Sequence, residues 1–190
     1  MNTRDFVVVH HSAIRQDGRA QFGRIDNGHR AREFPKSSLG YYCGYHFVVE
    51  ENGSVLKARE LNERGAHADN CGCSTDLSGV GKGLINFRSI GICLAGDFNS
   101  DVPTPEQIMS MHALVWSFQL QGSRFLLHRE VKNTNCPAAD FHQLFEQEHV
   151  RYLETDLQKK VNALKWATGL RRTMLERAIS RVLKLLLPTP

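Results

Sequence analysis

Residues 6–9 (Phe-Val-Val-Val) form an unbroken apolar, β-branched run that stops at His10, His11 and Ser12. Such a run predicts a buried strand with the two histidines at its carboxyl end. Residues 45–50 and 54–59 are two further strand-like stretches, separated by Glu51-Asn52-Gly53. The Asn-Gly pair supplies the positive φ angles of a tight hairpin. Residues 89–95 (Ser-Ile-Gly-Ile-Cys-Leu-Ala) read as an interior strand, and residues 125–127 as a short strand that delivers His128.

Helical signals fall between these strands. Thr104 stands as an N-cap, Pro105 at the first helical position, and Gln107 three residues on completes a capping box, so a helix is expected to about residue 121. Its apolar positions Ile108, Met111, Val115 and Phe118 recur at helical spacing, which turns one face toward the sheet. A second helix is expected near residues 24–34. Residues 69–83 hold four glycines and two cysteines with little periodicity, the pattern of a long loop.

After residue 141 the pattern is wholly helical. Leu153, Leu157, Val161 and Leu164 form one stripe, Leu170, Met174, Ala178, Val182 and Leu186 another, and Gly169 marks the break between them. The expected fold class is therefore α/β (α+β): a central mixed or mostly antiparallel sheet flanked by helices, with an extra C-terminal helical extension. The expected domains are 1–145 and 146–190.

Charge narrows the possible partners. Residues 1–141 carry 15 basic and 15 acidic side chains, whereas residues 142–190 carry 9 and 5, so the whole net charge of +4 sits in the tail. A main body without a basic cluster argues against a nucleic-acid face. Between Lys165 and Lys184 six basic residues accompany the single acidic Glu176. A basic, apolar-striped helix of this kind can dock on its own domain, associate with a second copy, or lie on an anionic membrane surface. No stretch reaches the roughly 18 to 20 apolar residues of a membrane-spanning helix. The first residues lack the basic and apolar regions of a secretory signal, which predicts synthesis in the cytoplasm.

The five cysteines, Cys43, Cys71, Cys73, Cys93 and Cys136, are odd in number and do not suggest a disulfide framework. Cys71 and Cys73 alone would make a poor metal site, and a plain loop is the expectation. Cys136 differs because it follows His128 by eight residues, in a loop that can curl the thiol back beside the imidazole. A catalytic zinc takes three protein ligands of this type and keeps one position for water. Strand alternation sends His10 and His11 to opposite faces, so only one of them can join such a cluster, and spacing does not choose between them. A Cys-His nucleophile pair, with Cys136 attacking and His128 or His10 as base, uses the same residues. The residues alone leave both chemistries open.

Five segments occur in order: Val9-His10-His11-Ser12-Ala13, Gly44-Tyr45-His46-Phe47, Gly65-Ala66-His67, the run from Asn86 to Ile92, and His128-Arg129-Glu130-Val131 through Thr134-Asn135-Cys136-Pro137. Together they resemble the zinc N-acetylmuramoyl-L-alanine amidases of bacteriophages and the related peptidoglycan recognition proteins, over roughly residues 5–145. The resemblance implies one Zn2+ ion held by His10, His128 and Cys136, with His11 pointing away. It implies Tyr45 and Thr134 as catalytic donors beside the metal, Thr134 standing where many phage members have lysine and catalytic recognition proteins have threonine. It further implies that His67 lines the substrate cleft. Asn86 and Arg88 are candidate substrate contacts, Arg88 to a carboxylate of the stem peptide, and His46 is expected to satisfy a core hydrogen bond.

The activity so implied is hydrolysis of the amide between N-acetylmuramic acid and L-alanine in peptidoglycan, by a phage or prophage endolysin. A cytoplasmic amidase that recycles soluble muropeptides would share this site. A noncatalytic peptidoglycan-binding protein would keep the cleft without the metal, and the retention of all three ligand types argues against that.

Overall fold

The computed structural model describes residues 4–68, 84–164 and 167–186. The expected loop at 69–83, with Cys71 and Cys73, lies outside the described residues. Clustering of contacts divides the chain into Met1–His142 and Gln143–Pro190.

The first unit is built on a five-stranded sheet of order β3-β2-β4-β1-β5. The strands are β1 (Phe6–His11), β2 (Phe47–Val49), β3 (Val55–Lys57), β4 (Ser89–Leu94) and β5 (Arg124–Leu127). Helices α1 (Phe22–Ala31), α2 (Ile85–Arg88), α3 (Pro105–Gln119) and α4 (His128–Val131) connect or follow them. The sheet is mixed, as expected, but it is mostly parallel, not mostly antiparallel. β1 pairs in parallel with β4 and β5, and β2 in parallel with β4, while β2 and β3 alone are antiparallel. Helical connections between successive strands enforce parallel pairing, and β2–β3 is the one place where a tight turn, with Gly53 at φ 79, reverses the chain directly.

Every residue of β1 and β4 is buried, in keeping with interior parallel strands covered on both faces. On one face Phe6, Val8, Ile85, Leu126 and Val131 pack together. Along the same side Val48, Cys93 and Cys43 pack with Ile25 of α1. The other face meets α3, which packs on β2, β4 and β5 through the buried Met111, Val115 and Phe118. The capping box forms as the sequence predicts, with Gln107 N–H donating to Thr104 Oγ1 at 3.1 Å and Thr104 N–H to Gln107 Oε1 at 3.2 Å.

Just before β2, His46 N–H donates to Gly91 O of β4 and Ala66 N–H to Gly44 O, each at 2.9 Å, which ties residues 44–46 to β4 and to the segment that carries His67. In the second unit, α5 (Phe141–Leu164) and α6 (Gly169–Leu186) account for the helical tail, and α6 begins at the predicted glycine. Among the described residues no helix is long and apolar enough to cross a membrane.

Candidate metal centre

The sheet register assembles the centre. In the parallel pair β1–β5 Val9 lies opposite Leu127, so the residues that follow them, His10 on β1 and His128 at the start of α4, come side by side. Their ring centroids are 4.2 Å apart. Alternation decides between the neighbouring histidines. His10 shares its face with Phe6 and Val8, while His11 turns to the face that carries α3, where its Nδ1 accepts from Phe98 N–H at 3.1 Å.

Beyond His128 the single turn α4 reverses the chain, and Arg129 N–H donates to Cys136 O at 2.7 Å, which draws the loop back over the strand end. One donor atom from each of His10, His128 and Cys136 then lies within 4.8 Å of the others. This is a group able to hold a metal ion. The backbone N–H of His11 donates to Cys136 Sγ at 3.4 Å, so the rejected histidine still serves the centre through its main chain.

The chemistry of the three donors fits a cation. Both ring nitrogens of His128 are buried and have no hydrogen-bond partner, a costly state for a neutral imidazole unless a further ligand takes one of them. Burial, with Lys132 and His11 nearby, lowers the His128 pKa to about 4, and burial together with the neighbouring imidazoles holds His10 well below the usual histidine range. Both rings are thus neutral near pH 7, the state in which imidazole ligates metal. Burial pushes the Cys136 thiol up to about 11, so a thiolate here needs a cation beside it. A thiol held protonated is also a poor nucleophile, which weighs against the Cys-His alternative.

A cleft of about 460 Å³ opens over this group. Tyr45, His67, His128, Thr134 and Cys136 all line it. Tyr45 stands 5.1 Å from His10, ring to ring, and burial, with the thiols of Cys93, Cys136 and Cys43 close by, keeps its phenol protonated far above pH 7. Thr134 Oγ1 accepts from Cys136 N–H at 3.2 Å. His67 is buried deeper, its Nδ1 2.9 Å from His10 Nε2.

The remaining candidates stand apart from the cleft. Asn86 is 3% exposed, and its Oδ1 accepts from His67 N–H at 3.1 Å and Ala68 N–H at 2.8 Å. It holds the segment that carries His67 and, with Phe34 and Ala66 of the cleft wall, lines a smaller neighbouring pocket. Arg88 pairs with Asp5 and lies over the Phe6 ring at 5.7 Å, also outside the cleft lining. An arginine at a strand's beginning is at the far end from a site built where the parallel strands finish. His46 has the expected structural role, its Nδ1 accepting from Gly91 N–H at 3.0 Å.

Several contributors carry no sequence signal. Glu50, 3% exposed, accepts from Gln21 N–H and Phe22 N–H, each at 2.8 Å, and so anchors the start of the cleft-lining helix α1. The guanidinium of the buried Arg59 donates to Cys43 O at 2.7 Å and Pro35 O at 2.5 Å, tying together the loops beside Tyr45. Arg24, Arg32 and Lys132 give the cleft a cationic rim, and no carboxylate is among its described lining residues.

Comparison with known proteins agrees with this geometry. The sequence profile of the N-acetylmuramoyl-L-alanine amidase family matches residues 1–139. The endolysin of Escherichia phage T7 is 27% identical over 150 residues, covering 75% of this chain and 86% of that one. Peptidoglycan-recognition protein SC2 of Drosophila melanogaster is 28% identical over 145 residues, covering 73% and 71%. Among solved structures, the N-acetylmuramoyl-L-alanine amidase LysC from Clostridium intestinale URNW superposes with a TM-score of 0.59 at 24% identity, over 77% of this chain and 86% of that one.

Proposed function

The chain belongs to the N-acetylmuramoyl-L-alanine amidase family, and on that premise we propose that it is a zinc-dependent amidase cutting between N-acetylmuramic acid and L-alanine in peptidoglycan. The observation that carries this reading is His128, with two buried ring nitrogens and no partner, beside the donor atoms of His10 and Cys136. A noncatalytic binding protein would have no reason to keep that arrangement.

Zinc bound here would supply a Lewis acid for the scissile carbonyl and lower the pKa of water from 15.7 to about 7. The protein's own groups do the rest. The rim of Arg24, Arg32 and Lys132 suits the carboxylates of a stem peptide. As the carbonyl carbon becomes tetrahedral its oxygen gains charge, and the protonated Tyr45 phenol is a donor suited to that oxygen. Thr134, accepting at Oγ1 from Cys136 N–H, has its hydroxyl proton to offer the same charge. His67 stands at the cleft floor behind His10, and Asn86 supports it.

Similarity to a phage endolysin over 86% of that protein's length supports an endolysin role. The basic helix α6, with Met174 and Leu185 exposed, supports contact with anionic lipid or with a second copy. Sedimentation with phosphatidylglycerol vesicles tests the lipid contact: Arg177→Glu with Arg181→Glu should weaken binding, and unchanged binding would refute it.

Digestion of isolated cell walls tests the main reading. Purified protein should contain about one zinc per chain, the usual single-ion catalytic site, and should release new N-terminal alanine. Walls left uncut by a zinc-loaded sample would overturn it.

A further inference from the structure

Two hydrogen bonds behind the metal centre carry a direction. His10 Nε2 and His67 Nδ1 are 2.9 Å apart, His67 Nε2 and Ser89 Oγ are 3.3 Å apart, and Ser89 Oγ is 2.5 Å from Ile85 O. The last partner is a backbone carbonyl, which can only accept, so the one hydroxyl proton of Ser89 is committed to it. Ser89 Oγ must then accept from His67 Nε2–H. A neutral His67 protonated at Nε2 is bare at Nδ1, and it accepts from His10 Nε2–H. The opposite polarity would set a lone pair of His67 against a lone pair of the fully buried Ser89.

We propose that the His67–Ser89–Ile85 chain fixes the tautomer of His10, leaving Nδ1 of His10 as the atom that ligates metal. His67 is on this view a positioning residue as well as part of the cleft wall. Both rings are buried, which disfavours the charged form of either. The ring of His67 has no room to turn. A Cβ on Gly91 or on Gly65 would lie 2.5 Å from its Cδ2, so two backbones clamp it, and Asn86 Oδ1 fixes its main chain from a third side. Metal-ligating histidines are generally held in this manner through their second nitrogen, and loss of the partner weakens metal binding.

The inference rests on the zinc reading of the same site, and its test separates the two. Zinc affinity of the full-length protein is measured by competition with a fluorescent chelator. His67→Ala should bind Zn2+ roughly 10- to 100-fold more weakly. His67→Asn, whose Oδ1 can stand where Nδ1 stood and accept the same proton, should recover most of that loss. Ser89→Ala should give a smaller weakening, because His67 stays in place with its tautomer unanchored, and it serves as the test if His67→Ala does not fold. Nitrogen-15 spectra of the zinc-loaded wild type should show the proton of His10 on Nε2. Zinc on Nε2 of His10, or wild-type affinity in both His67→Ala and Ser89→Ala, would overturn the tautomer inference alone. A wild-type chain that binds no Zn2+ would overturn the metal reading and this inference with it.

Discussion

His10 is as hidden from water as the supporting His11, His29 and His46, and both ring nitrogens of His128 are buried, yet the nitrogens of the two sets meet different partners. His11 and His29 each accept a backbone N–H at Nδ1, from Phe98 and Gly44 respectively. His46 uses both nitrogens, accepting from Gly91 N–H and donating to Glu63 O. In the centre, His10 Nε2 meets another imidazole, and His128 meets no hydrogen-bond partner at either nitrogen. Burial therefore does not distinguish the proposed ligands. The supporting histidines each bond the main chain through Nδ1, whereas both ring nitrogens of His128 stay without a hydrogen-bond partner, which leaves one for the proposed cation.

The largest expected contrast is between two cysteines, the buried Cys93 and the cleft-lining Cys136. Cys136→Ala should weaken zinc binding by more than roughly 100-fold, beyond the range for losing a supporting hydrogen bond, and wall digestion should fall to background. Cys93→Ala, in the packed sheet, should keep its zinc. Metal analysis of both purified variants checks this, and zinc retained by Cys136→Ala would break the distinction.

Acid should act on the structural set. Burial lowers the His46 pKa from 6.5 to about 4. Between those pH values the unfolded chain binds more protons than the folded one, so stability falls as pH is lowered through that window and is fully present above it. The contribution is on the order of 3 kcal/mol. His46→Leu removes that dependence and leaves Gly91 N–H without its acceptor, a loss of about 1–3 kcal/mol at neutral pH. Urea unfolding from pH 7 to pH 4 should show a lower but flatter profile for the variant, with zinc content unchanged. A slope equal to that of wild type would remove His46 from the account.

The smallest effect belongs to the face opposite the cleft. Thr104→Ala loses the α3 capping box and should cost about 1 kcal/mol. Thermal unfolding reads the change, and zinc affinity should stay at the wild-type value. Weaker zinc binding in this variant would mean that the two faces of the sheet are not independent.

Elements with a local cause were legible in the chain. The capping residues Thr104, Pro105 and Gln107 specify the start of α3, Asn52-Gly53 specifies the hairpin, and the apolar runs locate the interior strands, because each signal acts within a few residues. The ordered segments around His10, Tyr45, His67, His128 and Cys136 point to the family on their own. Asn86 and Arg88 illustrate the opposite case. Their motif was visible, but which end of β4 faces the cleft depends on the parallel register, and that is not a local property.

By itself, then, the sequence located the main elements, singled out three residues of metal-binding type and pointed to the family. Spacing left open whether His10 or His11 turns inward, a choice that the family resemblance made for His10, and neither spacing nor motif revealed the roles of Glu50, Arg59 and Ser89. Tertiary structure decided these, because pairing Val9 with Leu127 sets His10 beside His128. The polarity of the hydrogen bonds behind His10 then depends on a carbonyl at Ile85, 75 residues away along the chain. A proton's position in a buried chain of donors and acceptors is fixed by the group at its end, and only the folded protein brings that group into place.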